Sequence, residues 1–227
     1  MEEGKCWSGR IRGMGNVSEL DLRTVVHQQL PHEAESKIVD EFVIGEAGRI
    51  DVAVISDILE GYELKSDLDS LYRLPRQMDV FGAVFDFCTL VVTPKHLSSA
   101  RKALKRGWGL AVVEKDERGN LEYKQVRRAY QRSARDNTLL ASLLWRDELL
   151  SALDSLELSK GRSRATRDDL ARFLAKSTTR VELRNIVTES LMARQAWRVD
   201  PELHESDDSS QSRRVSSRFL ARRMMTQ

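Results

Sequence analysis

RIDVAVISDILEGYELK, Arg49–Lys65, holds two strand-like runs separated by a short link. In RIDVAVI, Ile50, Val52 and Val54 alternate with Asp51, Ala53 and Ile55, the period of two expected of a β-strand. The link SDILEG ends in Gly61, and Tyr62–Lys65 reads as the return strand. Successive strand side chains point to opposite faces, so Glu63 and Lys65 share one face, and Tyr62 and Leu64 the other. Two carboxylates, Asp51 and Glu63, and the Lys65 ammonium on adjacent strands suit a hard divalent cation beside a phosphate. The plainer alternative is a solvated Glu63/Lys65 pair on a hairpin surface. Asp51 argues against it, because aspartate is disfavoured in strands and here sits among apolar residues.

Glu-x-Lys also occurs at Glu3/Lys5, Glu35/Lys37 and Glu122/Lys124, but only the Glu63/Lys65 copy follows an acid embedded in an apolar strand. Downstream, SDLDSLYRLPRQMDVFGAVFD (66–86) opens with Ser66-x-x-Asp69, a capping-box pattern. Leu68, Leu71, Met78, Phe81, Val84 and Phe85 then recur at helical spacing. Pro75 breaks or kinks such a helix, or begins its second half at a first-turn position. A helix here can aim Arg73, Arg76 and Gln77 back at the strand ends; the bland alternative is solvated helix charges and an incidental Gln77. FCTLVVT (Phe87–Thr93) is a continuous apolar run, as for a buried central strand.

Asp51, then Glu63-Leu64-Lys65, then Gln77 four residues before an aromatic, resembles the PD-(D/E)XK nuclease superfamily. Gln77-x-x-x-Phe81 looks like the Gln-x-x-x-Tyr element of its RecB-like and lambda-exonuclease-like branches. Over about Val39–Val113 the pattern is similar to the sce-type family of bacterial proteins placed in that superfamily. Ile50 stands where proline often precedes the first acid, and Phe81 replaces a tyrosine, losing a hydroxyl. The resemblance implies a restriction-endonuclease-like mixed sheet with an αβββαβ core flanked by helices. It implies a metal-dependent nuclease cutting phosphodiester bonds, with DNA favoured, in phage defence or mobile-element biology.

By the same resemblance, Asp51, Glu63 and the Leu64 backbone carbonyl would ligate Mg²⁺, for which Mn²⁺ substitutes. Lys65 would orient the attacking water or stabilise charge developing on phosphate, and Gln77 would position water or a phosphate oxygen. A further acid often completes such sites. Glu19 lies in the first turn of a helix capped by Ser18-x-x-Asp21 and carrying Leu20, Leu22, Val25, Val26 and Leu30. Glu41, inside the strand-like KIVDEFVI, is the competing candidate and is preferred over Glu19.

The 227 residues carry a formal net charge of +2, so no overall basic field announces nucleic acid, although arginines can still be concentrated locally. No apolar run is long enough to span a membrane and no signal-peptide pattern is present, which points to the cytoplasm. Cys6 and Cys88 form no disulfide framework, and His27, His32, His96 and His204 lack zinc-ligand spacing. The isolated glycines make no phosphate-cradling loop, which argues against a nucleotide triphosphatase.

Residues 1–15 read as a loose N-terminus anchored by Trp7, and 16–131 as the nuclease-like domain. Within the latter, Thr93-Pro94 starts a helix to about Lys105, GLAVVE (Gly109–Glu114) is a strand, and LEYKQV is its hairpin partner. From 137 to 200 the pattern is an all-helical module. It comprises one long helix over Thr138–Leu156 containing Trp145, a helix capped by Thr166-x-x-Asp169, and another capped by Thr179-x-x-Glu182 whose apolar residues are Val181, Leu183, Ile186, Val187, Leu191 and Trp197. The first two with their Gly161 link look like a helix-extended-helix module, in which Lys160, Arg162, Arg164 and Arg167 would face phosphates. A bundle packed on the sheet with a solvated basic loop is the competing picture. Residues 202–227 read as a disordered linker and a basic amphipathic tail, suited to a partner or to nucleic acid. The functional alternative to a nuclease is a catalytically silent nucleic-acid- or protein-binding module, with a protein partner docking on the C-terminal helices.

Overall fold

A computed structural model describes residues 16–30, 36–131 and 135–195. The expectations for Trp7 and residues 1–15, for Trp197 and for the tail from 202 lie outside these residues, as do Cys6, His32, His204 and Glu35.

Helix α1 (Glu19–Gln29) starts as its capping box requires: the Ser18 hydroxyl accepts from the Asp21 amide while the Asp21 carboxylate accepts from the Ser18 amide. Strands β1 (Lys37–Ile44), β2 (Gly48–Ile55) and β3 (Leu59–Lys65) form an antiparallel meander. Helix α2 (Leu74–Val84) then returns the chain so that β4 (Phe87–Val92) lies parallel to β3. Helix α3 (Pro94–Ala103) leads to β5 (Gly109–Lys115), parallel to β4, and β6 (Leu121–Arg127) closes the sheet antiparallel to β5. The six strands lie in sequence order, in one mixed sheet flanked by helices. The protein is therefore α/β, with further helices after the sheet: α4 (Asn137–Ala141), α5 (Arg146–Ser155), α6 (Arg167–Ser177) and α7 (Arg180–Ala193).

Helix α1 covers one face of the sheet, its Leu22, Val25 and Val26 packing with Val52, Val54, Leu64, Val91, Ala111 and Val113. Ile50 departs from this arrangement. A Cβ built on Gly61 would meet the Ile50 side chain and the Phe85 ring, and Gly61 points away from Tyr62 and α1. Ile50 therefore faces the α2 side while Val52 and Val54 face α1, and the simple alternation expected across Arg49–Ile55 is interrupted at Asp51. The partner strand shows the cause: Glu41, opposite Asp51 in register, has φ +54°, and Phe42 beyond it packs on Phe85. A left-handed backbone at a non-glycine residue is uncommon and is held here by the ion pairs described below.

Three sequence expectations are corrected. Ser66-x-x-Asp69 makes its hydrogen bonds, with the Ser66 amide and hydroxyl both donating to Asp69 Oδ2, yet no helix begins there. Helix α2 begins at Leu74 with Pro75 in its first turn, so Leu68 and Leu71 are not on its apolar face. An Asx-type bond stabilises a turn as readily as a cap, and a helix cannot run through Pro75 from Ser66 but accommodates it in a first turn, where no N–H is needed. The helix expected over Thr138–Leu156 is two helices broken at Ser142–Trp145. There Arg167 donates to the carbonyls of Leu144 and Ser142, and Glu148 accepts from the Trp145 amide, satisfying the groups the break exposes. Val181, expected on the apolar face of α7, is exposed, and Leu183, Val187 and Leu191 carry the burial.

The described residues through Ala193 form one compact unit, so α4–α7 belong with the sheet. Buried Asp86 is one tie: it accepts from the Leu59 amide at the start of β3 and pairs with Arg135 ahead of α4. Arg180 of α7 is another, donating to the Val84 carbonyl at the end of α2 at 2.8 Å. No helix among the described residues is long and apolar enough to cross a membrane.

Candidate metal and phosphate site

The β2–β3 ladder runs from Ile55–Leu59 to Val52–Tyr62 and stops. One step further, Asp51 and Glu63 stand opposite each other where the strands part, and Asp51 Oδ2 accepts from the Leu64 amide at 2.6 Å. In a strand, the amide and carbonyl of one residue point to the same edge, so the Leu64 carbonyl is directed toward Asp51 as well.

Glu63 is the centre of the site. Its carboxylate is 1% exposed, and Oε1 accepts from Lys65 Nζ at 2.5 Å and from Gln77 Nε2 at 2.6 Å. Glu63 and Lys65 thus share the face expected of them, and α2 brings Gln77 down onto it. The other Glu63 oxygen, Oε2, is buried and has no hydrogen-bond partner among the described residues; the same holds for Gln77 Oε1. A buried carboxylate oxygen without a partner is costly, and a cation or ordered water is its usual complement.

Burial, and next the Glu63 charge, push the Asp51 carboxyl well above the usual carboxylate range, against the Leu64 hydrogen bond and Lys65. Burial also raises Glu63, although Lys65 and Gln77 oppose it. For Lys65, burial works to lower the pKa, but the Glu63 charge and hydrogen bond outweigh it and the net shift is upward. The ammonium is therefore firmly protonated, which favours charge stabilisation over general-base work. Two acids held high by desolvation beside one fixed cation form a site with an unmet demand for positive charge.

On the other side of Asp51 lies a second acidic group. Oxygens of Glu19, Glu41 and Asp51 lie within 4.8 Å of one another, close enough to share one ion. The two candidates for the additional acid are thus brought to the same place rather than separated. Arg23, which sequence reasoning missed, is among them. Its guanidinium donates to Glu19 Oε1 at 2.6 Å, to Glu41, and to the Asp51 carbonyl at 2.7 Å, and it lies 3.2 Å from Asp40. Burial opposes the Arg23 charge, but these acids raise its pKa far above the ordinary arginine value. Arg49 holds the second Glu41 oxygen at 2.6 Å. The available signal was the spacing: Arg23 follows Glu19 by four residues on a helix, so the two share a face.

Arg73 and Arg76 are exposed at the start of α2, near Gln77 in sequence. Lys160 and Arg164 are exposed on the α5–α6 link, whereas Arg162 lies 3.6 Å over the Phe173 ring in a cation–π contact. Arg167, expected to face phosphate, is committed to the carbonyls at the α4–α5 break, an internal role.

Comparison with known proteins gives three findings. A protein of unknown function from Silicibacter pomeroyi matches at TM-score 0.35 and 16% identity, over 58% of this chain and 86% of that one. Protein cII of Enterobacteria phage P4 is 25% identical over 162 residues, which cover 71% of this chain and 60% of that protein. The chain thus spans about three-fifths of the length of that relative. A family described as bacteriophage P4 protein cII matches residues 20–207, from α1 through the last helix described, and on that extent the chain belongs to the phage P4 protein cII family.

Proposed function

We propose that this protein is a Mg²⁺-dependent nuclease of PD-(D/E)XK type on a restriction-endonuclease-like core, hydrolysing phosphodiester bonds with DNA favoured. The observation that carries this reading is the convergence of Asp51, Lys65 and Gln77 on Glu63, whose buried Oε2 has no hydrogen-bond partner among the described residues. The α1–β1–β2–β3–α2–β4 order supports it, since it is the αβββαβ arrangement that the resemblance implies. The origin of the cII relative favours mobile-element biology over other settings.

Asp51 and Glu63, with the Leu64 carbonyl, would hold the cation, and the raised carboxyl pKa values are what two buried acids show before it arrives. When bound, Mg²⁺ supplies Lewis acidity toward a phosphate oxygen and a lowered pKa for a coordinated water. Lys65 keeps its proton and offers a fixed positive charge to the oxygens that gain charge during displacement. Gln77 spends its amide N–H on Glu63, leaving Oε1 to accept from a water and orient it. Purified protein should cut linear or plasmid DNA with Mg²⁺ or Mn²⁺ and stop on chelation. Undiminished cutting by Asp51→Ala and Lys65→Ala would falsify the assignment.

Arg23 favours a second reading, a catalytically silent nucleic-acid-binding module. Its guanidinium already bridges Glu19 and Glu41, supplying in part the positive charge that a metal would bring. If that is the whole role of the cluster, DNA affinity will be indifferent to chelator and no cleavage will appear at any metal concentration.

A further inference from the structure

We infer that the turn between β3 and α2 is a base-stacking platform, with the Tyr72 ring and Leu68 as its contact surface, and that the substrate presents unpaired nucleotides there. The inference rests on the nuclease reading of the adjoining site and names its substrate class.

Tyr72 is 91% exposed and Leu68 80% exposed. These are not side chains of a slack loop. Ser66 is held by Asp69 at 2.7 and 2.5 Å, and the Asp67 carboxylate and amide pair with the Val17 amide and carbonyl at 2.8 and 3.2 Å. Lys95 donates to the Asp67 carbonyl, and His96 Nε2 lies 2.9 Å from the Ser66 carbonyl. At the far end, the Leu74 amide donates to the Leu71 carbonyl as α2 begins. A turn fixed at both ends that still holds a tyrosine and a leucine in water is shaped for a flat apolar ligand.

Its position says which ligand. The turn joins Lys65 directly to the helix carrying Gln77, and five residues of chain keep Tyr72 within about 18 Å of Gln77, a few nucleotides from the reacting phosphate. Of the acids along this stretch, Asp79 pairs with Lys105 at 2.5 Å, while Asp67 and Asp69 are half-buried and accept from the Val17 amide and from Ser66. The exposed charges that follow are Arg73 and Arg76, a rim suited to phosphates. An exposed aromatic ring followed by two cations reads a single strand, because an unpaired base offers its face while a duplex keeps its faces stacked. A protein ligand would have less use for the arginine rim and for the neighbouring acids and lysine.

The test is equilibrium binding by the full chain, with Ca²⁺ in place of Mg²⁺. The probes are a short single-stranded DNA, its duplex, and the same single strand with abasic positions. Tyr72→Ala should weaken single-strand binding by about 5- to 150-fold and leave the duplex unchanged, while Tyr72→Trp retains affinity. The abasic strand should bind wild type and Tyr72→Ala alike, since the same contact is lost either way. Equal single-strand affinity for wild type and Tyr72→Ala overturns the platform, as does an equal loss on duplex and abasic DNA. A fall in self-association of Tyr72→Ala with DNA affinity unchanged overturns it in favour of a protein contact. The two ideas fail separately: cutting lost in Asp51→Ala but no Tyr72 effect removes the platform alone, and the Tyr72 effect without any cutting removes the nuclease alone.

Discussion

At the scale of single residues, Glu63 takes both available donors on one oxygen and leaves the other bare. Glu63→Gln keeps the volume and removes the charge. Cleavage should fall by at least about 10²-fold, the scale on which loss of a positioned electrostatic group acts, while the fold persists; residual rates and circular dichroism measure the two. The pH dependence has a definite sign. Asp51 and Glu63 have folded pKa values above those of the unfolded chain. Without metal, the folded state therefore holds protons that the unfolded chain has released, and this contribution to stability is full below about pH 4. It is lost as pH rises through the raised folded values. Metal needs both groups ionised, so Mg²⁺ affinity should climb over the same range. Melting temperatures with EDTA and with Mg²⁺ should diverge as pH increases; parallel curves would remove the metal from the site. At this scale part of the site was legible: strand spacing brought forward Asp51, Glu63 and Lys65, the resemblance added Gln77, and the fold places the four side by side. Arg23 was not named, because a Glu-x-x-x-Arg pair on a helix is ordinary surface chemistry until a strand brings Glu41 under it.

The elements show where local pattern and packing disagree. Gly61 leaves space that Ile50 and the Phe85 ring already fill, with a built Cβ 2.5 Å from Ile50 Cδ1 and 3.1 Å from the ring. Gly61→Ala should cost about 1–3 kcal/mol by overpacking. Ile50→Val in the same chain should recover part of it, which denaturant midpoints will show. The close contact exists because Ile50 turns to the α2 side, which a period-two pattern does not foresee. The break in the expected Thr138–Leu156 helix was equally hidden. TLLASLLWRDELL has helical periodicity throughout, but Arg167 withdraws two carbonyls from the helical ladder and Glu148 recaps the chain at Trp145. Caps, by contrast, were readable at Ser18, Thr166 and Thr179, where the side chain bonds the backbone three residues on. Thr166→Ala should cost about 1 kcal/mol.

For the molecule as a whole, Asp86 links the start of β3 to Arg135 ahead of α4. Burial opposes its charge, but the Leu59 amide and Arg135 hold its carboxyl below the usual range. The sign is opposite to that at Asp51: this stability is present above the unfolded pKa, near pH 4, and is lost as pH falls through the depressed folded value. Asp86→Ala should remove about 3–5 kcal/mol by taking away the carboxylate that pairs with Arg135 in a buried setting and should shift the acid unfolding transition. Truncation after Asp136 should not leave an intact core. It would strip the fully buried Leu140, Leu144, Leu170 and Leu183 from one compact unit, and the shortened chain should aggregate or lose its cooperative melt.

The amino-acid sequence by itself determined the strand and helix order through β6, the shared face of Glu63 and Lys65, and the helix starts at Ser18, Thr166 and Thr179. Each depends on contacts within a few residues, where period and spacing are enough. Only the tertiary structure decided that β2 and β3 part at Asp51, that Glu41 bends left-handed opposite it, and that Arg23 joins both candidate acids. It also decided that Ser66–Arg73 is a tied turn holding Tyr72 in water. Those features come from elements distant in the chain meeting at one end of a twisted sheet, and their energies belong to the meeting rather than to any one segment.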